Sequence, residues 1–138
     1  MKKMNNKGFS LIELIIVIAI MAVLVAIIAP NLTKYLGKSK SQTDKTNLDE
    51  IKKQFKNAIS DAATDEITNV AGTYTVDKNS VTTTATSAGA QAFQGYVSKA
   101  LDADTNTKSK VDSSKTKIEV DVSGSDSAGY TITAKFVS

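Results

Sequence analysis

Nineteen consecutive residues, Leu11–Ala29, constrain this chain more than anything else in it: eighteen are apolar and the exception is Glu13. A helix rises about 1.5 Å per residue, so such a run covers about 30 Å, the thickness of a bilayer's hydrocarbon core. A helix apolar on every side belongs in lipid or in a large core, which makes the run a membrane-spanning segment by length. Glu13 sets it apart from a passive anchor. A carboxylate at the centre of a lipid-buried helix costs on the order of 3 kcal/mol on insertion scales, and less near an end. An intramembrane acid points to a function and to a partner that answers its charge.

Two plainer readings fail on particular residues. Lys2, Lys3 and Lys7 make a basic amino end like that of a secretory signal. The apolar run is longer than the hydrophobic region of such a signal, and its end offers a poor cleavage site, with the large Ile27 inside it and Pro30 directly after Ala29. A simple single-pass anchor leaves Glu13 unexplained. It also leaves unexplained the abrupt boundary between Lys7-Gly8 and Phe9-Ser10.

Gly8-Phe9-Ser10-Leu11-Ile12-Glu13, preceded by a short basic leader and followed by an apolar run ending at Pro30, resembles the processing motif of type IV pilins and their relatives, the pseudopilins. The resemblance is specific from Lys7 to about Leu36 and architectural beyond. It implies that a prepilin peptidase/methylase cuts after Gly8 and methylates the new amino terminus on Phe9. Glu13 is then the glutamate that serves assembly, and Pro30 a helix kink. It also implies the partners: further copies of the chain in a helical filament, an inner-membrane assembly platform, an assembly ATPase, and membrane lipid before assembly. The apolar run contains no glycine, where many pilins carry one.

Simple electrostatics supports the role that the resemblance implies for Glu13. Cleavage after Gly8 places a positive amine on Phe9, four residues before Glu13. In a stack of such helices the glutamate of one subunit meets the amine of a neighbour. Two unit charges 4 Å apart gain about 4 kcal/mol at an effective dielectric near 20, comparable to the cost of keeping a lone carboxylate in lipid.

Composition narrows the chemistry. The 138 residues hold no Cys, no His and no Arg. Disulfides, thiolate ligands and the commonest general base are therefore absent, and one domain plus an anchor is the natural division. The formal net charge of +3 comes from the lysines of the leader, so it signals no nucleic-acid site. The positive-inside rule gives no orientation, because Lys34, Lys38 and Lys40 flank the far side of the span as well. Leader inside and carboxyl terminus outside follow from the resemblance.

From Asn31 onward the pattern turns amphipathic. Leu32, Tyr35, Leu36 and Ser39 keep helical spacing; after a polar patch, Leu48, Ile51, Phe55, Ala58, Ile59 and Ala62 recur in steps of three and four. The spacing predicts one helix from Phe9 to about Ala63, weakened at Pro30 and Gly37 and least secure over Leu36–Lys45. Gly72–Asp77 reads as a strand, Val81–Thr86 as a strand or extended loop, and Ala90–Leu101 as a short helix. Lys117–Ser123 alternates Ile118, Val120 and Val122 inward. Tyr130–Ser138 alternates Tyr130, Ile132, Ala134 and Phe136 inward, and the Gly124–Gly129 turn joins the two as a hairpin. The expected core is Ile51, Phe55, Ile59, Phe93, Val97, Ile118, Val120, Ile132 and Phe136.

The expected fold is α+β, a long amino-terminal helix packed on a small antiparallel sheet. Its expected parts are residues 1–8, a cleaved leader; 9–30, the membrane and filament-core helix; 31–63, the amphipathic half of that helix; and 64–138, a head with a short helix and the carboxyl-terminal hairpin.

Sites of other chemistry are scarce. Asp102, Asp104 and Asn106 imitate the opening of a calcium loop, but Thr107 stands where the turn glycine belongs and Ser113 where the bidentate glutamate belongs. A solvated loop fits this pattern better. No nucleophile–base pair, phosphate loop or basic-aromatic patch occurs, so neither enzyme activity nor a cofactor is expected. The functional expectation is a structural subunit of a type IV pilus, an extracellular filament used in adhesion, motility or biofilm formation. The alternative is a pseudopilin of a type II secretion or DNA-uptake system.

Overall fold

The computed structural model describes residues 9–78, 80–101 and 107–138. Its elements are α1 (Leu11–Thr64), β1 (Gly72–Asp77), β2 (Ser80–Thr83), α2 (Ala88–Ala100), β3 (Lys117–Ser125) and β4 (Gly129–Val137). The architecture is α+β, a long helix with a four-stranded antiparallel sheet of order β2-β1-β3-β4. Two compact units divide between Ser39 and Lys40.

In the first unit, every residue from Phe9 to Ser39 is exposed. Helical hydrogen bonding satisfies the backbone while the apolar side chains of Leu11–Ala29 remain uncovered. Among the described residues, α1 contains the one stretch long and apolar enough to cross a membrane. Pro30 lies inside α1, whose helical assignment continues through it.

The second unit holds the core. The buried stripe of α1 is Asp44, Ile51, Phe55, Ala58 and Ala62, the helical spacing that places residues on one face. It meets Ala90, Phe93 and Val97 of α2, Tyr74 and Val76 of β1, Val81 of β2, and Ile118, Val120 and Val122 of β3 in one apolar cluster. Three rings form its centre: Phe55–Tyr74, Phe55–Phe93 and Tyr74–Phe93 approach edge to face at centroid distances of 5.6, 6.1 and 5.4 Å, the geometry favoured by ring quadrupoles. The buried hydroxyl of Tyr74 donates to the Val70 carbonyl at 2.6 Å. Burial, with a smaller effect from Tyr130, pushes this phenol up to about 12.

The strand alternation holds in phase but not in depth. Ile118, Val120 and Val122 are fully covered because β3 is an inner strand. Tyr130, Ile132, Ala134 and Phe136 face the same way on the edge strand β4 and are only half-buried. Ile59 is also half-buried, at the rim of the α1 stripe. The β3–β4 hairpin closes at Ser125 opposite Gly129, leaving a three-residue loop. Gly129 supplies the left-handed conformation (φ 83°) that such a loop requires.

α2 starts two residues earlier than the spacing suggests because Ser87 caps it, accepting the Ala90 amide at 3.2 Å. The same hydroxyl donates to the Asn69 carbonyl, tying α2 to the segment after α1. Asp126 accepts the Asn69 amide and the Tyr130 hydroxyl, fixing that segment to the hairpin as well.

Candidate functional site

The amino end of α1 is built around Glu13. Ser10 precedes the first helical residue and occupies the N-cap position; its carbonyl accepts the Leu14 amide at 3.3 Å. Oε2 of Glu13 reaches back and accepts the Ser10 amide at 2.8 Å. Ser-x-x-Glu ahead of an apolar run is the sequence of a capping box, and this bond is the half that joins the glutamate to the cap amide. A negative charge in the first turn also suits the positive end of the helix dipole. Glu13 thus has a local role beside the assembly role that the resemblance implies, and its spacing to Ser10 is the sequence signal for it.

One carboxylate oxygen is thus occupied within the chain. Among the described residues no hydrogen bond or ion pair engages the other, Oε1. Phe9, the residue implied to carry the processed amine, is 91% exposed and has no hydrogen bond to Glu13 among the described residues. Phe9 is thus exposed four residues before a carboxylate that, among the described residues, has one oxygen unengaged. Gly8 lies outside the described residues, as do Asp102, Asp104 and Asn106. Among the described residues, no three Asp or Glu side chains come close enough together to hold a metal ion.

A second polar centre, not expected from the sequence, lies in the other unit. Asp44 is buried on α1, in the least secure stretch by composition. Its carboxylate accepts the Ser109 hydroxyl at 2.5 Å, the Lys110 amide at 2.6 Å and the Val111 amide at 3.2 Å. Burial opposes the charge. The Ser109 hydroxyl, the two amides and the Lys110 charge together outweigh it, holding the carboxyl below the ordinary carboxylate value. Ser109 in turn accepts the Val111 and Asp112 amides, so one carboxylate organises the whole turn. Thr107, beside it, is buried and accepts the Lys78 amide. The signal was legible in one respect: Asp44 falls seven residues before Ile51, in line with the buried stripe.

Comparison with known proteins agrees with the amino-terminal motif. Residues 3–29 match the family model of the prokaryotic N-terminal methylation motif. The chain is 52% identical over 44 residues to the type IV major pilin protein PilA of Myxococcus xanthus (strain DK1622), an alignment covering 32% of this chain and 20% of that one. It is 39% identical over 70 residues to prepilin peptidase-dependent protein A of Clostridium perfringens (strain 13 / Type A), covering 49% of this chain and 50% of that one. The chain therefore spans half or less of the length of these curated relatives. No solved structure matches it.

Proposed function

We propose that this chain, type IV pilin-like in its amino-terminal motif and its α+β architecture, is a structural subunit of a type IV pilus, processed between Gly8 and Phe9 and carried in a membrane before assembly. One observation supports the reading above the rest: the methylation motif runs directly into an apolar helix uncovered on every side. Such a surface is stable only in lipid or among neighbours of its own kind, and a pilin subunit passes from the first to the second. In this reading residues 1–8 are the leader, 9–30 the span and filament core, 31–63 the amphipathic half of the helix, and 64–138 the head. The motif implies a prepilin peptidase/methylase as the processing partner. Export of the filament implies a membrane platform and an ATPase. The open oxygen of Glu13 receives the Phe9 amine of a neighbouring copy.

The test is mass spectrometry of fibres sheared from the cell surface. The expected result is long fibres made mostly of this chain, beginning at methylated Phe9. A subunit that still carries Met1–Gly8 sinks the processing step. Absence from surface fibres, with the chain confined to the envelope, favours the pseudopilin reading. Replacing Gly8 with a bulky residue is expected to leave the precursor uncut, because the peptidase subsite implied by the motif admits only a small side chain.

A further inference from the structure

We propose that the turn of α1 immediately after Pro30, centred on Lys34 and Lys38, binds the headgroup of an anionic membrane phospholipid; the inference rests on the reading of Leu11–Ala29 as a membrane span. Asn31, Lys34, Tyr35, Gly37 and Lys38 line one open depression on the helix surface. Lys34 and Lys38 are four residues apart and therefore share a face, about 40° apart around the axis. Like charges at this spacing repel. Among the described residues, no ion pair takes either one. No acidic residue occurs anywhere from Leu14 to Thr43. The first acid beyond, Asp44, is already occupied by Ser109, Lys110 and Val111. This stretch of α1 thus sets two cations side by side and supplies no anion of its own for them.

Their position identifies the anion. At about 1.5 Å per residue, Lys34 lies about 6 Å and Lys38 about 12 Å past Pro30 along α1. The headgroup layer occupies roughly 5–8 Å outside the hydrocarbon. Helical side chains lean toward the amino end, here back toward the bilayer, and a lysine stem extends that reach. Both ammonium groups therefore fall at phosphate level. Tyr35, 71% exposed between them in sequence, places an amphipathic ring at the same depth, where aromatic belts sit. A lipid whose phosphate carries an uncompensated charge, such as phosphatidylglycerol, answers two lysines better than phosphatidylcholine, whose own cation offsets its phosphate.

The experiment is native mass spectrometry of the full-length chain released from micelles containing equal phosphatidylglycerol and phosphatidylcholine. The parent chain is expected to retain phosphatidylglycerol preferentially, by roughly fivefold per lysine. Lys34→Gln with Lys38→Gln is expected to abolish the preference, and the paired Lys→Arg variant to keep it. Equal retention of the two lipids by the parent overturns the inference. So does a preference that persists in the double Gln variant, which would assign it to other lysines, those of the leader or Lys40. Extraction of vesicles with alkaline carbonate separates the two layers of the argument. A chain that washes off overturns the membrane span and this inference together; a chain that stays inserted yet shows no preference overturns this inference alone.

Discussion

Asp44 and Ser109 stand 65 residues apart in the sequence, and their side chains meet at 2.5 Å. The contact joins the middle of α1 to the turn that leads into β3. It does so through a charged acceptor, the stronger kind of hydrogen bond.

Removing that acceptor strands the Ser109 hydroxyl and the Lys110 amide, and leaves the Val111 amide with the Ser109 hydroxyl as its acceptor. Asp44→Ala is expected to destabilise the head by about 2–3 kcal/mol, given the worth of hydrogen bonds to a charged group. Ser109→Ala, which leaves both amides in place, costs less. The pH dependence has a definite sign. The folded state holds Asp44 below its ordinary value, so its contribution is complete above that ordinary value and disappears as pH falls through the lower, folded one. Chemical denaturation of parent and Asp44→Asn from neutral pH down to below the ordinary carboxylate value of 3.8 checks this: the gap between them should hold above that value and narrow below it. A gap that stays constant would mean the carboxylate's charge adds nothing.

The cap bond of Glu13 and the assembly role proposed for it are separable by substitution. Glu13→Gln keeps a carbonyl oxygen able to accept the Ser10 amide and loses the charge; Glu13→Ala loses both. If assembly depends on pairing with a neighbour's Phe9 amine, the two variants fail alike. The loss is up to about 4 kcal/mol per pair, and subunit accumulates in the membrane at the expense of fibre. The measured quantity is the ratio of sheared to membrane-retained subunit in cells making no parent chain. A Gln variant that fills fibres normally, beside an Ala variant that does not, assigns Glu13 to the cap alone.

Gly89 is expected to be intolerant of any side chain. A Cβ there would lie 1.8 Å from the Thr68 carbonyl oxygen and 2.9 Å from that of Asn69. α2 therefore docks on the segment after α1 at backbone contact distance. Gly89→Ala should cost on the order of 3 kcal/mol. Gly95→Ala, in the same helix with open space around it, should be neutral or mildly stabilising. Thermal melts of the two variants side by side give the comparison; equal losses would show that α2 does not dock this closely.

Phe55 is fully buried and touches both other rings of the central trio. Phe55→Ala is expected to cost about 3–5 kcal/mol in a fragment beginning near Asn31, a large share of a small domain's stability. A loss below about 1 kcal/mol would mean that this helix face does not hold the core. Because the chain has no Cys, a reducing agent should leave the melting temperature unchanged.

The elements themselves were legible because each obeys a local rule. β1 was read to its exact bounds, α1 to within two residues at either end, and the hairpin from its alternation and its Gly/Ser turn. What escaped depended on neighbours distant in sequence. Tyr74 looks like one more strand tyrosine, yet it sits at the centre of the core because β1 is inner, between β2 and β3. Ile132 and Phe136 look as apolar as Val120, yet remain half-covered because β4 has no strand beyond it. Asp44 looks like part of a solvated patch, and its burial becomes intelligible only when the turn at Ser109 folds back over it. At the amino end, the motif marked a candidate site, while the bond between Glu13 and Ser10 is a local feature that the capping rule supplies.

The strand order also dictates a schedule. β1 takes β3 as its inner neighbour, with Gly72 opposite Val122 and Val76 opposite Ile118. A ribosome delivers β1 and β2 well before β3. At about 5–20 residues per second, the nascent sheet waits a few seconds with one long edge of β1 unpaired and Tyr74 lacking the wall that Val120 later provides. During that interval the open edge is a template for any other newly made strand. β3 and β4 therefore seal the sheet, and a chain clipped before Lys117 is left in the open-edged state that the longer chain passes through.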